Sequence, residues 1–195
     1  MIAKNPFEVI KTWLEEAEKN EINDPNAMAL ATVDERGQPS LRMVLLKGFS
    51  QEGFIFYTNL NSRKGRELKN NPNAALLLHW KSLRRQIRVE GQVTPVTDQE
   101  ADLYFATRPR TSRIGAWASQ QSNPMKNRYE LELNLAKMTA KYAVGEIPRP
   151  PYWSGFCLIP KRIELWQDQK FRLHDRFQFD REENHHSWKA VRLYP

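Results

Sequence analysis

Residues 172–176 read Arg-Leu-His-Asp-Arg, and their types and spacing suit the handling of an anion or an electron-rich ring. Along a β-strand every second side chain points to the same face, so Arg172, His174 and Arg176 are expected in one row. Two guanidiniums beside an imidazole repel one another and lose hydration when covered, so folding alone gives little reason to align them. The competing reading is a solvated edge strand charged against aggregation. The apolar flanks count against it: Ile163, Leu165 and Trp166 come before, Phe177 and Phe179 after.

Three further groups carry anion-binding chemistry. Ser62-Arg63-Lys64 opens a predicted helix after the strand end Tyr57-Thr58-Asn59. A helix N-terminus presents free N–H groups and a positive dipole end, which bind phosphate. Two cations in a first turn oppose that dipole, a mismatch that favours a phosphate guest over a simple solvated helix start. Arg42 and Lys47 bound an apolar strand. Strict alternation sends them to opposite faces, so either a bulge intervenes or they serve different anions; strand-end charges reaching water would look the same. Tyr104, Arg108 and Ser112 are spaced by four, one helix face if the helix continues, but Pro109 points to a helix end plus a turn. Tyr and Ser hydroxyls with a guanidinium suit a phosphate clamp, although the spacing by itself is weak evidence for one.

Gln121-Ser122 lies in a polar loop that either donates hydrogen bonds to a ligand or caps the following helix. His185-His186 has no acidic or cysteine partner at ligand spacing, so an exposed loop is expected there, His79 reads as structural, and no metal site is expected. Cys157, the single cysteine, sits in Phe156-Cys157-Leu158-Ile159 and reads as a buried, inert thiol. No Walker A, GxGxxG, HExxH, CxxC pair or GxSxG occurs, which argues against metal and triad hydrolases.

The elements that must position these groups are legible from periodicity. Asn5-Pro6 with Glu8 starts an amphipathic helix over 6–19, buried through Phe7, Ile10, Trp13, Leu14 and Ala17. Strands are predicted at 27–33, 39–47, 53–58, 74–80, 86–94, 156–158, 162–167, 172–179 and 188–193. Asp34-Glu35-Arg36-Gly37 turns the first hairpin, and Thr97-Asp98-Gln99-Glu100 is a capping box for a helix to about 107. A long helix is predicted from Asn123-Pro124 to Tyr142, ended by the proline-rich run 148–151. Many strands without βαβ alternation predict a mainly β protein, a β-barrel with peripheral helices, in one domain spanning 1–195.

Composition fits. The 195 residues are 40% hydrophobic and carry a net charge of +7. That is enough for one sizeable core, and the excess of cations implies anionic partners. The cations fall in short groups with no polybasic arm, which favours discrete anion sites over a nucleic-acid stripe. No apolar run reaches the ~20 residues of a membrane span, and the N-terminus lacks a secretory h-region. One cysteine and no disulfide fit a cytoplasmic protein.

In this order, Arg42-Met-Val-Leu-Leu-Lys47, Tyr57-Thr-Asn59, Ser62-Arg-Lys64, Arg85-Gln86, Tyr104 to Ser112, Ile114-Gly-Ala-Trp117, Gln121-Ser122, Glu164-Leu-Trp-Gln167, Arg172-Leu-His-Asp-Arg176 and Arg192-Leu-Tyr-Pro195 resemble the pyridoxamine 5′-phosphate oxidase family. The resemblance covers about 24–195. It implies a homodimeric FMN-binding split β-barrel, with flavin at the dimer interface. The implied activity oxidises pyridoxamine 5′-phosphate or pyridoxine 5′-phosphate to pyridoxal 5′-phosphate with O2, releasing H2O2. By resemblance, Arg42, Lys47, Tyr57, Thr58, Ser62, Arg63, Lys64, Gln86, Gln121, Ser122, Trp166 and Arg176 form the FMN site. Lys47, Tyr104, Arg108 and Ser112 hold the substrate phosphate. Arg172 and His174 are the catalytic pair over the substrate ring and its C4′ carbon, with hydride passing from C4′ to the flavin.

Two departures are expected to matter unequally. Many family members carry an Arg and a Tyr before the first helix that fold over the substrate, and this chain starts too close to that helix to contain them. Tyr194, often a smaller residue, matters little. The rival readings are a split-barrel flavoprotein with another substrate, such as a flavin reductase, and a non-catalytic pyridoxal phosphate or FMN carrier. The first needs the flavin residues but not the whole set Lys47, Tyr104, Arg108, Ser112, Arg172 and His174.

Overall fold

The computed structural model of the chain describes residues 5–182 and 187–195. The His185-His186 pair lies outside them. Helix α1 (Pro6–Asn20) is followed by β1 (Ala27–Val33), β2 (Pro39–Leu45), β3 (Gly48–Ser50), β4 (Gly53–Asn59), α2 (Arg63–Asn70), β5 (Asn73–Trp80) and β6 (Arg85–Pro95). Then come α3 (Asp98–Thr107), α4 (Arg110–Ala118), α5 (Arg128–Lys141), β7 (Trp153–Gln167), a 3-10 turn (Lys170–Arg172), β8 (Asp175–Arg181) and β9 (Trp188–Arg192).

The nine strands form one antiparallel sheet in the order β2-β1-β5-β6-β7-β4-β3, with β8 on β7 and β9 on β8. The long strand β7 is its spine. It pairs with β6 along most of its length, with β4 through its first half and with β8 through its second. Beyond β2 the chain turns a corner: Leu46 N–H still donates to Asn26 O near β1, but Lys47 N–H donates to Ile55 O in β4. The sheet thereby curls back on itself as a split β-barrel. Inside lie Met28, Leu30, Phe54, Phe56, Leu78, Ile87 and Leu158, closed off by Phe7, Ile10 and Leu14 of α1. Asn5 caps α1, accepting from Phe7 N–H. A second core joins α3 and α4 to the sheet through Phe105, Ile114, Ile147 and Trp153, with Leu135 and Met138 of α5 packed against it.

Several expectations need correcting. Residues 172–179 are not one strand. Phe171 and Arg172 take left-handed φ of 59° and 62°, and β8 begins only at Asp175. Consecutive non-glycine residues in that region break a strand, so Arg172, His174 and Arg176 do not form a single row. The segments 156–158 and 162–167 belong to one strand, because Pro160, which lacks an N–H, sits where the ladder slips between Glu90 and Gly91. A Cβ at Gly91 would lie 2.0 Å from Ile159 O, so the irregularity requires glycine. The long helix starts at Arg128, capped by Asn127 rather than Asn123. After the break at Pro109 the chain resumes as α4, and the short strand β3 was not predicted. His79 is exposed on β5, and Cys157 is half-buried with its thiol pKa pushed up chiefly by burial.

Among the described residues, no helix is long and apolar enough to cross a membrane, and no group of three or more His, Cys, Asp or Glu side chains is placed to hold a metal ion.

Candidate active site

A cavity of about 630 Å³ opens where β2, β4, α2, α3 and α4 converge. Its floor is aromatic. The Tyr57 ring of β4 stacks on Tyr104 of α3 with centroids 4.0 Å apart, and on Trp153 of β7 at 5.3 Å. Gly155 makes room for this: a Cβ there would lie 2.7 Å from Tyr57 Cδ1 and 2.8 Å from Phe56 O. Burial, with Glu100 and Tyr104 nearby, pushes the Tyr57 hydroxyl pKa up, so it stays protonated.

Arg108 sits at the break between α3 and α4. Preceding Pro109, it is forced into extended backbone (φ −71°, ψ 145°), which ends α3. Its guanidinium lies 4.8 Å from the Trp153 ring centroid and 5.5 Å from that of Phe105. Its NH1 atom is buried and has no hydrogen-bond partner. Burial lowers its pKa, yet a guanidinium remains charged at any physiological pH. A buried cationic donor without an acceptor is costly, and an anion bound between Arg108, Ser112 and Lys47, which line the same cavity, removes the cost. Tyr104, Arg108 and Ser112 thus line one cavity across the helix break expected at Pro109.

The N-terminus of α2 borders this cavity. Ser62 is its N-cap: its hydroxyl donates to Asn59 O (2.6 Å) and accepts from Gly65 N–H (3.3 Å). Fully buried, that hydroxyl holds the helix end in place. Lys64 Nζ donates to Thr58 Oγ1 (3.2 Å) and to Gln121 Oε1 (3.1 Å), both neutral. Desolvation, reinforced by the nearby Arg42 charge, lowers the Lys64 pKa. Across α2, Glu67 gathers Arg63 (2.8 Å) and Arg42 (3.2 Å), and accepts from Ser40 (2.7 Å) and Thr32. Desolvation raises the Glu67 pKa, but these hydrogen bonds and the Arg42 charge outweigh it and hold the carboxyl at about 2. Arg42 and Arg63 therefore share one carboxylate while the Lys64 ammonium has only neutral partners, and the surplus is positive.

The β1–β2 register runs without a bulge from Arg42 to the strand end at Leu45. Arg42 turns toward β1 and α2, donating to Leu30 O (3.1 Å), whereas Lys47 stands past the end of β2 at the cavity mouth. They face different places because Lys47 lies beyond the strand, where the chain has turned toward β4.

The remaining predicted residues lie elsewhere on this chain. Gln86, Trp166 and Arg176 are cross-strand neighbours on β6, β7 and β8, one continuous row. Arg176 is held by the buried Glu164 (2.8 Å) and by Tyr194 O (3.1 Å), and the Glu164 bond raises its pKa. Trp166, Arg172 and His174 line a separate cavity of about 490 Å³ with Arg84, Asp168 and Phe171. Ser122 is exposed with φ 70°, next to Gln121. The sequence reading missed Trp153, Glu67, Asp168 and Glu164 as site-shaping residues. Only Glu67 left a local signal, its i,i+4 spacing from Arg63.

Sheet and cavity together define a split β-barrel with an aromatic-floored, cationic site. An FMN-binding protein of Nostoc punctiforme related to pyridoxamine 5′-phosphate oxidase shares that fold with a TM-score of 0.77 at 18% identity, covering 96% of each chain. Sequence comparison is more specific. The family model "Pyridoxamine 5'-phosphate oxidase" matches residues 14–142, and the "Pyridoxine 5'-phosphate oxidase C-terminal dimerisation region" matches 153–195. The chain belongs to the pyridoxamine 5′-phosphate oxidase family. It is 60% identical over 193 residues to the pyridoxine/pyridoxamine 5′-phosphate oxidase of Rhodopseudomonas palustris TIE-1, covering 99% of this chain and 91% of that protein. The Rhizobium meliloti 1021 protein of the same name is also 60% identical, at 99% and 94% coverage. Crystalline PhzG from Burkholderia lata 383, in complex with tetrahydrophenazine-1-carboxylic acid, is 34% identical with a TM-score of 0.92, covering 99% of this chain and 94% of that one.

Proposed function

We propose that this protein is an FMN-dependent oxidase that converts pyridoxamine 5′-phosphate and pyridoxine 5′-phosphate to pyridoxal 5′-phosphate, and that it works as a homodimer. The observation that carries this reading is the phosphate seat: Arg108 with its buried, partnerless NH1, beside Ser112, Tyr104 and Lys47. A flavin reductase or a protein handling a ligand without phosphate has no use for it.

The residues present fit FMN. A buried ammonium bonded only to neutral oxygens, two guanidiniums sharing one carboxylate and a capped helix N-terminus suit its phosphate. Arg42, Arg63 and Lys64 would hold that phosphate, Thr58 and Gln121 would orient Lys64, and Gln86, Trp166 and Arg176 would meet the rest of the cofactor. When bound, FMN supplies the two-electron redox chemistry and passes the electrons to O2 to give H2O2. The protein binds the substrate phosphate far from C4′ and spends that binding on orientation. Arg172 and His174 cover the ring and face its exocyclic group.

The split between the two cavities supports the dimer. The residues matched by the dimerisation-region model include Trp166, Arg172 and His174, and these border a different cavity from Lys47, Tyr104 and Arg108. A second copy would unite the halves, with FMN between the subunits. The strand β2 leaves Leu41 and Met43 68% and 64% exposed, an apolar face suited to that contact. A single cysteine suits a cytoplasmic location, which fractionation checks. The function itself is tested by incubating the protein in air with each B6 phosphate and following pyridoxal 5′-phosphate and H2O2.

A further inference from the structure

Strand β7 leaves the sheet at Gln167, and the next residue is clasped from both ends. Asp168 N–H donates to Arg84 O (3.0 Å), and the Asp168 carboxylate pairs with the Arg84 guanidinium. The chain then makes the 3-10 turn through the left-handed pair Phe171 and Arg172 and returns at His174. The imidazole comes to rest against Trp166, centroids 4.8 Å apart, with Nδ1 lying 3.0 Å from Asp168 Oδ1.

Nδ1 has a second neighbour. Gln169 N–H points at it from 3.3 Å. The two contacts make opposite demands. The amide needs a lone pair on Nδ1, whereas the carboxylate needs a proton there, because a lone pair facing an anion at 3.0 Å is repulsive. The carboxylate contact is the shorter of the two, and a bond to a charged acceptor is about twice as strong as a neutral one. Asp168 is 13% exposed and only lightly screened, while its other partner, Arg84, is 73% exposed and neutralises it weakly.

We infer that Asp168 is a positioning residue that fixes His174 in the Nδ1–H tautomer, leaving Nε2 as an acceptor for the substrate's C4′ amino or hydroxyl group. This rests on the reading that His174 faces the substrate. The tautomer of a histidine is set by what its other nitrogen touches, and the wrong tautomer idles a correctly placed ring. The strained turn is then explained as well: two left-handed residues bring His174 back over Asp168.

The test is ¹⁵N NMR of the histidine-labelled, FMN-loaded protein, with the His174 signals assigned by their loss in His174→Asn. The parent should show a protonated Nδ1 and an unprotonated Nε2. In Asp168→Ala only Gln169 N–H remains beside Nδ1, so the pattern should invert. The kcat should fall about tenfold or more, with KM and flavin content within about twofold, since positioned proton-handling groups contribute on the order of 10²–10⁴-fold. Asp168→Asn keeps an acceptor oxygen and should retain the parent tautomer and recover part of kcat; if the alanine variant fails to fold, Asp168→Gly, which also removes the carboxylate, takes its place with the same expected inversion. Arg84→Gln should keep the parent tautomer. An unchanged tautomer in Asp168→Ala, or equal losses in Asp168→Ala and Arg84→Gln, would overturn the inference. The tautomer is read whether or not either B6 phosphate is turned over, so a failed oxidase assay refutes the proposed function without deciding this one.

Discussion

Tyr57 and Tyr104 lie face to face, ring centroids 4.0 Å apart and planes 11° from parallel, although one belongs to β4 and the other to α3. That stack is the seam between barrel and helices. It brings Arg108 and Ser112, at the α3–α4 break, and Lys64, at the N-terminal end of α2, to the lining of one cavity.

The seat makes the first prediction. Arg108→Ala removes a charge-assisted contact worth about 1.5–3 kcal/mol, so kcat/KM for both B6 phosphates should fall ~10–150-fold while bound FMN is unchanged. Steady-state kinetics on flavin-loaded protein checks this. Arg108→Lys should not restore the activity, because an ammonium cannot lie flat over Trp153 and Phe105.

Below the seam, Gly155 lets the Tyr57 ring lie flat. Gly155→Ala drives a Cβ into that ring and into Phe56 O, costing about 1–3 kcal/mol. Denaturant unfolding should show the loss, and flavin retention should drop with it.

Glu67 gives a pH dependence of defined sign. Its folded pKa of about 2 lies below the ordinary 4.5, so its ionised form stabilises the fold. That contribution is complete above about 4.5 and is lost as pH falls toward 2. Glu67→Gln should therefore be less stable than the parent at pH 7. The gap should close progressively below pH 4.5, as urea titrations at several pH values would reveal.

The two arginines around His174 should separate. Arg172 is exposed on the strained turn, whereas Arg176 is fixed in β8 by Glu164. Arg172→Ala should weaken substrate handling and leave FMN bound; Arg176→Ala should loosen FMN. Equal flavin loss in both variants, measured by absorbance after gel filtration, contradicts the division.

Leu41 probes the second copy. Leu41→Asp puts a charge on the exposed apolar face of β2 and should raise the dimer dissociation constant at least about tenfold, with parallel loss of flavin. Sedimentation over a concentration range measures it. A fully dimeric variant would place the interface elsewhere.

Much of this was legible in the sequence because it is written locally. The Asn5 and Thr97 caps, the Asp34–Gly37 hairpin and the Ser62 helix start depend on neighbours within a few residues, and all appear in the fold. The Arg172–Arg176 row was misread because nothing in the local code announces left-handed Phe171 and Arg172; the turn is stabilised by contacts of His174 with Trp166 and Asp168. β7 was split at Pro160 because the compensating Gly91 lies on another strand. Trp153, Glu164 and Asp168 gain their meaning only from partners that the sheet brings to them.

The central claim meets its most direct test in one aerobic measurement: purified, yellow, FMN-loaded protein mixed with pyridoxamine 5′-phosphate or pyridoxine 5′-phosphate. The account predicts pyridoxal 5′-phosphate and H2O2 in equal amounts from both, with O2 consumed and ammonia released from the amine alone. FMN bound at full occupancy with neither product formed would contradict it.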